Sequence, residues 1–271
     1  MKFALLFLIL SSELCAKGIE DSTTYHSNST LQWNAAMETI ELVPLTGSEY
    51  VLDVGCGDGK ITAFLANKLI NGNIIGVDIS ERMINFASSH YFHANLQFKQ
   101  HDATELPFDN QFDCIVSFST LHWVIDQQKA LKAFYRALIP GGKVCIHTYG
   151  KGRMNVTCIA DSLIHTEKWS AYFPSYTKQR AFFTEEEYYA LLERAGFEQI
   201  KVFGSWSETL YPNRELFVAF ARPLLIFINH LSPELQDEFV GEVVDKIILI
   251  AGQSDEGIRY QTFNLRAIAT K

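Results

Sequence analysis

What the 271-residue chain lacks narrows it first. Basic charge is in deficit, 23 Lys and Arg against 31 Asp and Glu, and the resulting formal charge of −8 repels phosphate backbones. A nucleic-acid partner is therefore not expected. Proline is sparse at seven, and internal repeats, low-complexity tracts and long charge runs are missing, which points to a compact chain. The five cysteines (Cys15, Cys56, Cys114, Cys145, Cys158) are odd in number and widely spaced, so they read as reduced, buried residues and not as a disulfide framework. Zinc-type spacing is absent too. The one tight histidine pair, His90 and His93, falls short of the four ligands a structural zinc takes, and no metal is expected.

What is present is apolar. At 48% hydrophobic and 13% aromatic residues, the chain can bury a core as one large domain or as a domain carrying a cap. The apolar run from Phe3 to Leu10 is far too short to span a bilayer, so no stable membrane span is expected. With Met1-Lys2 before it and Ser11-Ser12-Glu13-Leu14-Cys15-Ala16 after it, this run has the form of a secretory signal peptide. The alternative is an apolar helix packed on the domain. Under eukaryotic export, Asn28-Ser29-Thr30 and Asn155-Val156-Thr157 would be glycosylation acceptors.

Past residue 24 the pattern alternates. Residues 30–43 read as a helix from the spacing of Leu31, Ala35, Met37, Ile40 and Val43, closed by Pro44. Tyr50 to Val54 is a short apolar strand that runs into Gly55-Cys56-Gly57-Asp58-Gly59 and a helical stretch through Leu69. Ile74 to Asp78 makes a second strand, and Ser80 caps the helix after it. Strands at Leu96 to Asp102, Phe112 to Phe118 and Gly142 to Tyr149 follow, with a helix at Gln127 to Leu138. A further helix runs from Thr184 to Arg194, and Ile200 to Phe203 and Phe263 to Ala269 supply two more strands. Strands alternating with helices at this spacing form a parallel sheet covered on both faces. Residues 150–183 and 207–258 fall outside the alternation and read as cap insertions over the carboxyl edge of the sheet.

In such sheets the ligand lies beyond the carboxyl ends of the strands, so the first turn carries the chemistry. Gly55, Gly57 and Gly59 allow a tight bend and close backbone approach to a ligand. A dinucleotide fingerprint would put its third glycine at position 60, which is Lys60. Asp53 before the turn would be a poor neighbour for a pyrophosphate and a good one for an ammonium. Asp78 ends the second strand, where a carboxylate accepts from ribose hydroxyls. Asp102 and Ala103 end the third, where an adenine edge can be met by a carboxylate and a backbone N–H.

Val51-Leu-Asp-Val-Gly-Cys-Gly-Asp-Gly59, Gly76-Val-Asp-Ile-Ser80 and Leu121-His-Trp123 with Leu138-Ile-Pro-Gly-Gly142 resemble the class I S-adenosylmethionine-dependent methyltransferases. Within them the chain is similar to the small-acid carboxyl methyltransferases, the group of juvenile hormone acid methyltransferase and trans-aconitate methyltransferase. The likeness runs from about Tyr25 to Gly142 and returns in the C-terminal strand. It implies a Rossmann-like α/β fold with a mostly parallel seven-stranded sheet, an antiparallel last strand and a helical cap. The methyltransferase domain would then span 25–271, with its cofactor core at 49–148 and residues 1–24 as an apolar N-terminal segment. A cytosolic cofactor favours a cytoplasmic location, with a secreted or periplasmic one if residues 1–16 act as a signal peptide.

By the same resemblance Asp53, Gly55, Cys56 and Gly57 would hold the methionine part of S-adenosylmethionine, with Gly59 also among the cofactor-binding residues. Asp78 and Ile79 would hold the ribose, Asp102 and Ala103 the adenine, and Ser119 the sulfonium edge. Gln32, His122 and Trp123 would form the acceptor site for a small-molecule acid, Gln32 and the indole gripping a carboxylate as neutral N–H donors. A carboxylic acid is ionised at neutral pH and needs no base; an alkoxide or amine acceptor would need one, for which His122 stands nearest. Malonyl-carrier-protein O-methylation and C- or N-methylation of another metabolite are the alternatives. The first of these would use Lys143, Lys151 and Arg153 as a thin basic patch.

Overall fold

The structure, a computed structural model, describes residues 30–152, 155–254 and 256–271. The apolar segment 1–24, with both its signal-peptide and packed-helix readings, lies outside them, as does Arg153.

The chain begins with α1 (Thr30–Ile40), then β1 (Tyr50–Val54), α2 (Lys60–Lys68), β2 (Asn73–Asp78), α3 (Glu81–His90), β3 (Leu96–Gln100) and β4 (Phe112–Phe118). After β4 a single 3-10 turn (Leu121–Trp123) leads to α4 (Gln127–Ala137) and β5 (Leu138–Tyr149). The rest is α5 (Val156–Ile164), α6 (Glu167–Ser170), α7 (Glu185–Ala195), β6 (Glu198–Tyr211), α8 (Arg214–Ala221), two 3-10 turns (Arg222–Leu224 and Ile226–Ile228), α9 (Pro233–Ala251), β7 (Gln253–Ser254) and β8 (Gly257–Thr270). Local chemistry sets these ends. Ser80 caps α3 by accepting from the Met83 N–H, and Thr184 and Glu187 form a reciprocal capping box on α7, which closes on Gly196 at φ 101. The first helix stops three residues short of Val43. Pro44 disfavours helical backbone before it, and the last turn tightens through Leu42 N–H to Thr39 O and Val43 N–H to Ile40 O.

The strand order is β3-β2-β1-β4-β5-β8-β6, with the two-residue β7 paired to β8. Every neighbouring pair from β3 to β5 is parallel, and β8 runs antiparallel to both β5 and β6. This is the Rossmann-like sheet with an antiparallel last strand. Alternate residues of β1 feed two cores. Leu52 and Val54 pack with α4 and α7 on one face, and Val51 packs with α1 and α2 on the other.

The last two strands are longer than their sequence pattern suggests. Ser207 to Tyr211 pair with Thr262 to Ile258, so the β6–β8 ribbon runs on into segments that read as insertion. Glu208 and Arg259 face solvent there and form an ion pair at 2.8 Å, while Tyr211, Ile258 and Tyr260 turn into a third core under α5, α8 and α9. That core holds Trp169 and Phe173, so these two aromatics of the cap serve packing. Among the described residues no helix is long and apolar enough to cross a membrane, and no group of three or more His, Cys, Asp or Glu is placed to hold a metal ion.

Candidate active site

The chain leaves β1 toward β2 and β3, then returns to place β4 on the opposite side of β1. Strand order therefore reverses between β1 and β4, and the crevice of an open α/β sheet opens beyond their carboxyl ends. The residues standing there are Gly55, after β1, and Ser119, after β4. They face each other closely. Gly55 sits at φ 78, and a Cβ on it would come within 2.1 Å of Thr120 Cγ2. Thr120 in turn donates its hydroxyl to the Gly55 and Phe118 carbonyls. Gly59, at φ 81, closes the turn against Ala87 and Phe98, so the loop is held flat between β1 and α2.

Three carboxylates crowd this turn. Asp53 is buried and accepts from Thr62 Oγ1 at 2.7 Å. Burial pushes its pKa up to about 7, with repulsion from Asp78 and Asp58 adding to it and the Thr62 bond opposing. Asp78 is also raised, by burial first, although Gly57 N–H at 3.1 Å and Ser80 N–H at 2.9 Å hold its two oxygens. The Ile79 N–H adds a third backbone bond that opposes the shift. Ile79 beside it is 65% exposed. Asp102 accepts from the Thr104 N–H at 2.7 Å, Ala103 is buried, and His101 N–H to Asp78 O ties their loop to β2. The Cys56 thiol is pushed well above its ordinary range by burial and then by the three aspartates, which keeps it protonated and removes it as a nucleophile.

On the β4 side the 3-10 turn carries Leu121, His122 and Trp123. Gln127 at the start of α4 donates to the Leu121 and Ala181 carbonyls, and Ala181 N–H donates to His122 O at 3.0 Å. These bonds tie the segment before α7 to the turn. The tie sets Arg180 over the Trp123 indole, its guanidinium carbon 3.7 Å from the ring centroid. Arg180 is 9% exposed. Trp123, Phe182, Tyr176, Phe227 and Arg180 line a cavity of about 10 Å³, room for about one water. Asp161 also reaches it, engaged by the Tyr176 hydroxyl. His122 lies beneath, its ring against Tyr149 at 4.9 Å and its Nδ1 3.5 Å from Thr148 Oγ1. Burial, with Arg180 and His147 adding, lowers its pKa well below the ordinary histidine value. His122 is thus a neutral imidazole and a weak base at pH 7. Gln32 falls in α1, with its side chain outside the described residues.

A family model described as a methyltransferase domain matches residues 52–146, the stretch from β1 into β5. Juvenile hormone acid O-methyltransferase of Bombyx mori is 31% identical over 207 residues, covering 73% of this chain and 73% of that protein. The chain belongs to the class I S-adenosylmethionine-dependent methyltransferases. Phosphoethanolamine N-methyltransferase 1 of Zea mays is 32% identical over 208 residues, 75% of this chain but 39% of the relative. Among solved structures, a Haemonchus contortus phosphoethanolamine N-methyltransferase 2 in complex with S-adenosyl-L-methionine shares the fold at TM-score 0.56 and 22% identity. It aligns with 99% of this chain, which covers 56% of its length.

The methyltransferase's own residues fit its cofactor. Crowded carboxylates raise one another's pKa, and a cationic ligand placed among them relieves that repulsion. The Asp78 carboxylate, at the carboxyl end of β2, suits a ribose diol. One consequence is measurable without substrate. Unfolded, Asp53 ionises near its ordinary 3.8, whereas folded it keeps its proton to about 7. The unfolded chain therefore binds fewer protons between these values, and this contribution to stability is lost as pH rises from about 4 to about 7. Asp53→Asn should remove it, so the melting temperature of the variant relative to the parent should climb across that interval. A constant difference would mean that Asp53 is ionised throughout.

Arg180 is the residue that sequence reasoning missed. In Thr177-Lys-Gln-Arg-Ala-Phe-Phe183 it reads as one more cation beside Lys178 on a surface segment. The nearest available signal was the run of aromatics around it.

Proposed function

We propose that this methyltransferase O-methylates the carboxylate of a small or medium lipophilic acid, and that Trp123 and Arg180 hold that carboxylate. The observation carrying the reading is the buried guanidinium set over Trp123, among aromatic side chains, on the turn that follows β4. A guanidinium offers a planar fork of donors that matches a carboxylate, and its place over the indole holds that fork at the turn after β4. Aromatic walls exclude water, and attack of a carboxylate on a cationic methyl donor gains from that exclusion because opposite charges vanish together. When bound, S-adenosylmethionine supplies the electrophilic methyl group. His122 is too weak a base to make an alkoxide or free an amine from its ammonium, so an acceptor already nucleophilic at neutral pH suits the site best.

The alternatives are less well supported. Carrier-protein docking asks for a basic surface, but Lys151 lies 3.6 Å from Glu187 and is partly spent on it. An amine acceptor bearing a phosphate would put a dianion against one cavity-lining guanidinium and near Asp161. The test is methyl transfer from labelled cofactor to a panel: a terpenoid acid, a fatty acid, trans-aconitate, malonyl-carrier protein and phosphoethanolamine. Ester formation on a lipophilic acid is the expected result. Labelling of phosphoethanolamine alone would replace the carboxylate reading.

A further inference from the structure

A directed chain of hydrogen bonds runs from the outer sheet to the Ser119 turn. At its far end Ser207 Oγ lies 3.5 Å from the Thr262 carbonyl, which can only accept, so the hydroxyl donates. Asn264 Nδ2 then donates to Ser207 Oγ at 3.0 Å, which turns its Oδ1 toward His147 Nε2 at 3.2 Å. An amide oxygen only accepts, so Nε2 carries the ring proton. His147 is fully buried on β5, and burial lowers its pKa to about 4, Arg266 adding to the shift and the Asn264 bond opposing it. With one proton on the ring, Nδ1 is bare. Ser119 Oγ lies 3.2 Å from Nδ1 and must donate to it. Both lone pairs of Ser119 then face away from His147.

Ser119 itself is held in the left-handed region, at φ 52, by its N–H bond to His147 O at 2.8 Å. Residues that persist in such a conformation need support from their surroundings and gather at functional sites. We infer that His147 and Asn264 are positioning residues that lock the Ser119 hydroxyl as an acceptor toward the cofactor's sulfonium and methyl group. A hydroxyl proton turned the other way would face positive charge, whereas lone pairs meet the polarised C–H groups favourably. S-adenosylhomocysteine has neither the charge nor the methyl, so the lock favours substrate cofactor over product. The inference rests on the cofactor side of the site and is independent of the acceptor.

Calorimetric affinities for S-adenosylmethionine and S-adenosylhomocysteine, measured on the full chain, test it. Asn264→Leu should lower the ratio of the two affinities about three- to fivefold, chiefly by weakening the sulfonium ligand. Ser119→Ala should do the same, and the double variant should lose no more than either alone. Asn264→Asp gives a second reading: a carboxylate stabilises the imidazolium, both ring nitrogens then donate, and the Ser119 proton is turned outward. In that variant the ratio should be low in acid and recover as His147 deprotonates, against the fixed charge of Arg266 and the neutral His122 and Tyr149 that also face the ring. Equal weakening of both ligands, or additivity with Ser119→Ala, would overturn the lock. Failure of the parent to bind either ligand would overturn the cofactor assignment instead.

Discussion

Arg180→Met should raise the KM for the acid acceptor by about 30- to 100-fold while leaving S-adenosylmethionine affinity within about twofold of the parent. The size follows from losing a charge-assisted hydrogen bond of about 2–3 kcal/mol in a buried site. The direction of the split is more informative than the size. A carboxylate loses its negative charge as it takes the methyl group, so a guanidinium grips the starting acid more strongly than the transition state. Such a group lowers KM without helping kcat, and its removal should leave kcat at saturation unchanged or somewhat higher. Met fills a similar volume, so Trp123 keeps a neighbour above its ring. Arg180→Lys keeps the charge but loses the fork and should fall between parent and Met. Steady-state kinetics on the best acid of the panel, with calorimetry for the cofactor, decides the matter. A parallel loss of cofactor affinity would show that Arg180 supports the fold, and a fall in kcat alone would contradict its role as a ground-state anchor.

Why Arg180 escaped the sequence while Asp53 and Gly55 did not is a matter of range. The β1 turn is one contiguous stretch, and its glycines, its aspartate and its flanking strand and helix periods are all local. β4 was readable to the residue from the mostly apolar run Phe112 to Phe118, broken only by Asp113 and Ser117. Arg180 and Trp123 are 57 positions apart by their numbering and are brought together by Gln127, whose side chain bridges Leu121 and Ala181, and by the Ala181 N–H bond to His122 O. No spacing along the chain encodes that bridge. The same limit hides Ser119–His147–Asn264, which stand just after β4, near the end of β5 and in the middle of β8. The strand ribbon at 207–211 and 257–262 was hidden for another reason. It lies beyond the main sheet, where one of its faces is charged and the other buries aromatics against the cap, so its alternation reads as the edge of an insertion.

Gly55→Val should cost about 3–5 kcal/mol of folding stability, the largest loss expected of a single substitution at the Gly55–Gly59 turn. Two independent causes combine. At φ 78 a β-branched residue is strained by about 1–3 kcal/mol. A Cβ there would also stand 2.1 Å, 2.2 Å and 2.6 Å from Thr120 Cγ2, Oγ1 and Cβ, distances no rotamer of the new residue can relieve. Thr120 is not free to withdraw, because its hydroxyl is bonded to the carbonyls of Gly55 and Phe118. The two causes can be separated by chemical unfolding of Gly55→Ala alone and paired with Thr120→Gly. Removing the whole threonine side chain should recover the steric part and leave the conformational part, so the pair should be non-additive in the stabilising direction. Full additivity would mean that the two loops do not pack as the structure has them. Because Ser119 directly precedes Thr120, forcing this contact apart should also disturb the hydroxyl we propose to face the sulfonium. Cofactor affinity in Gly55→Ala should then fall even at temperatures where the variant is fully folded.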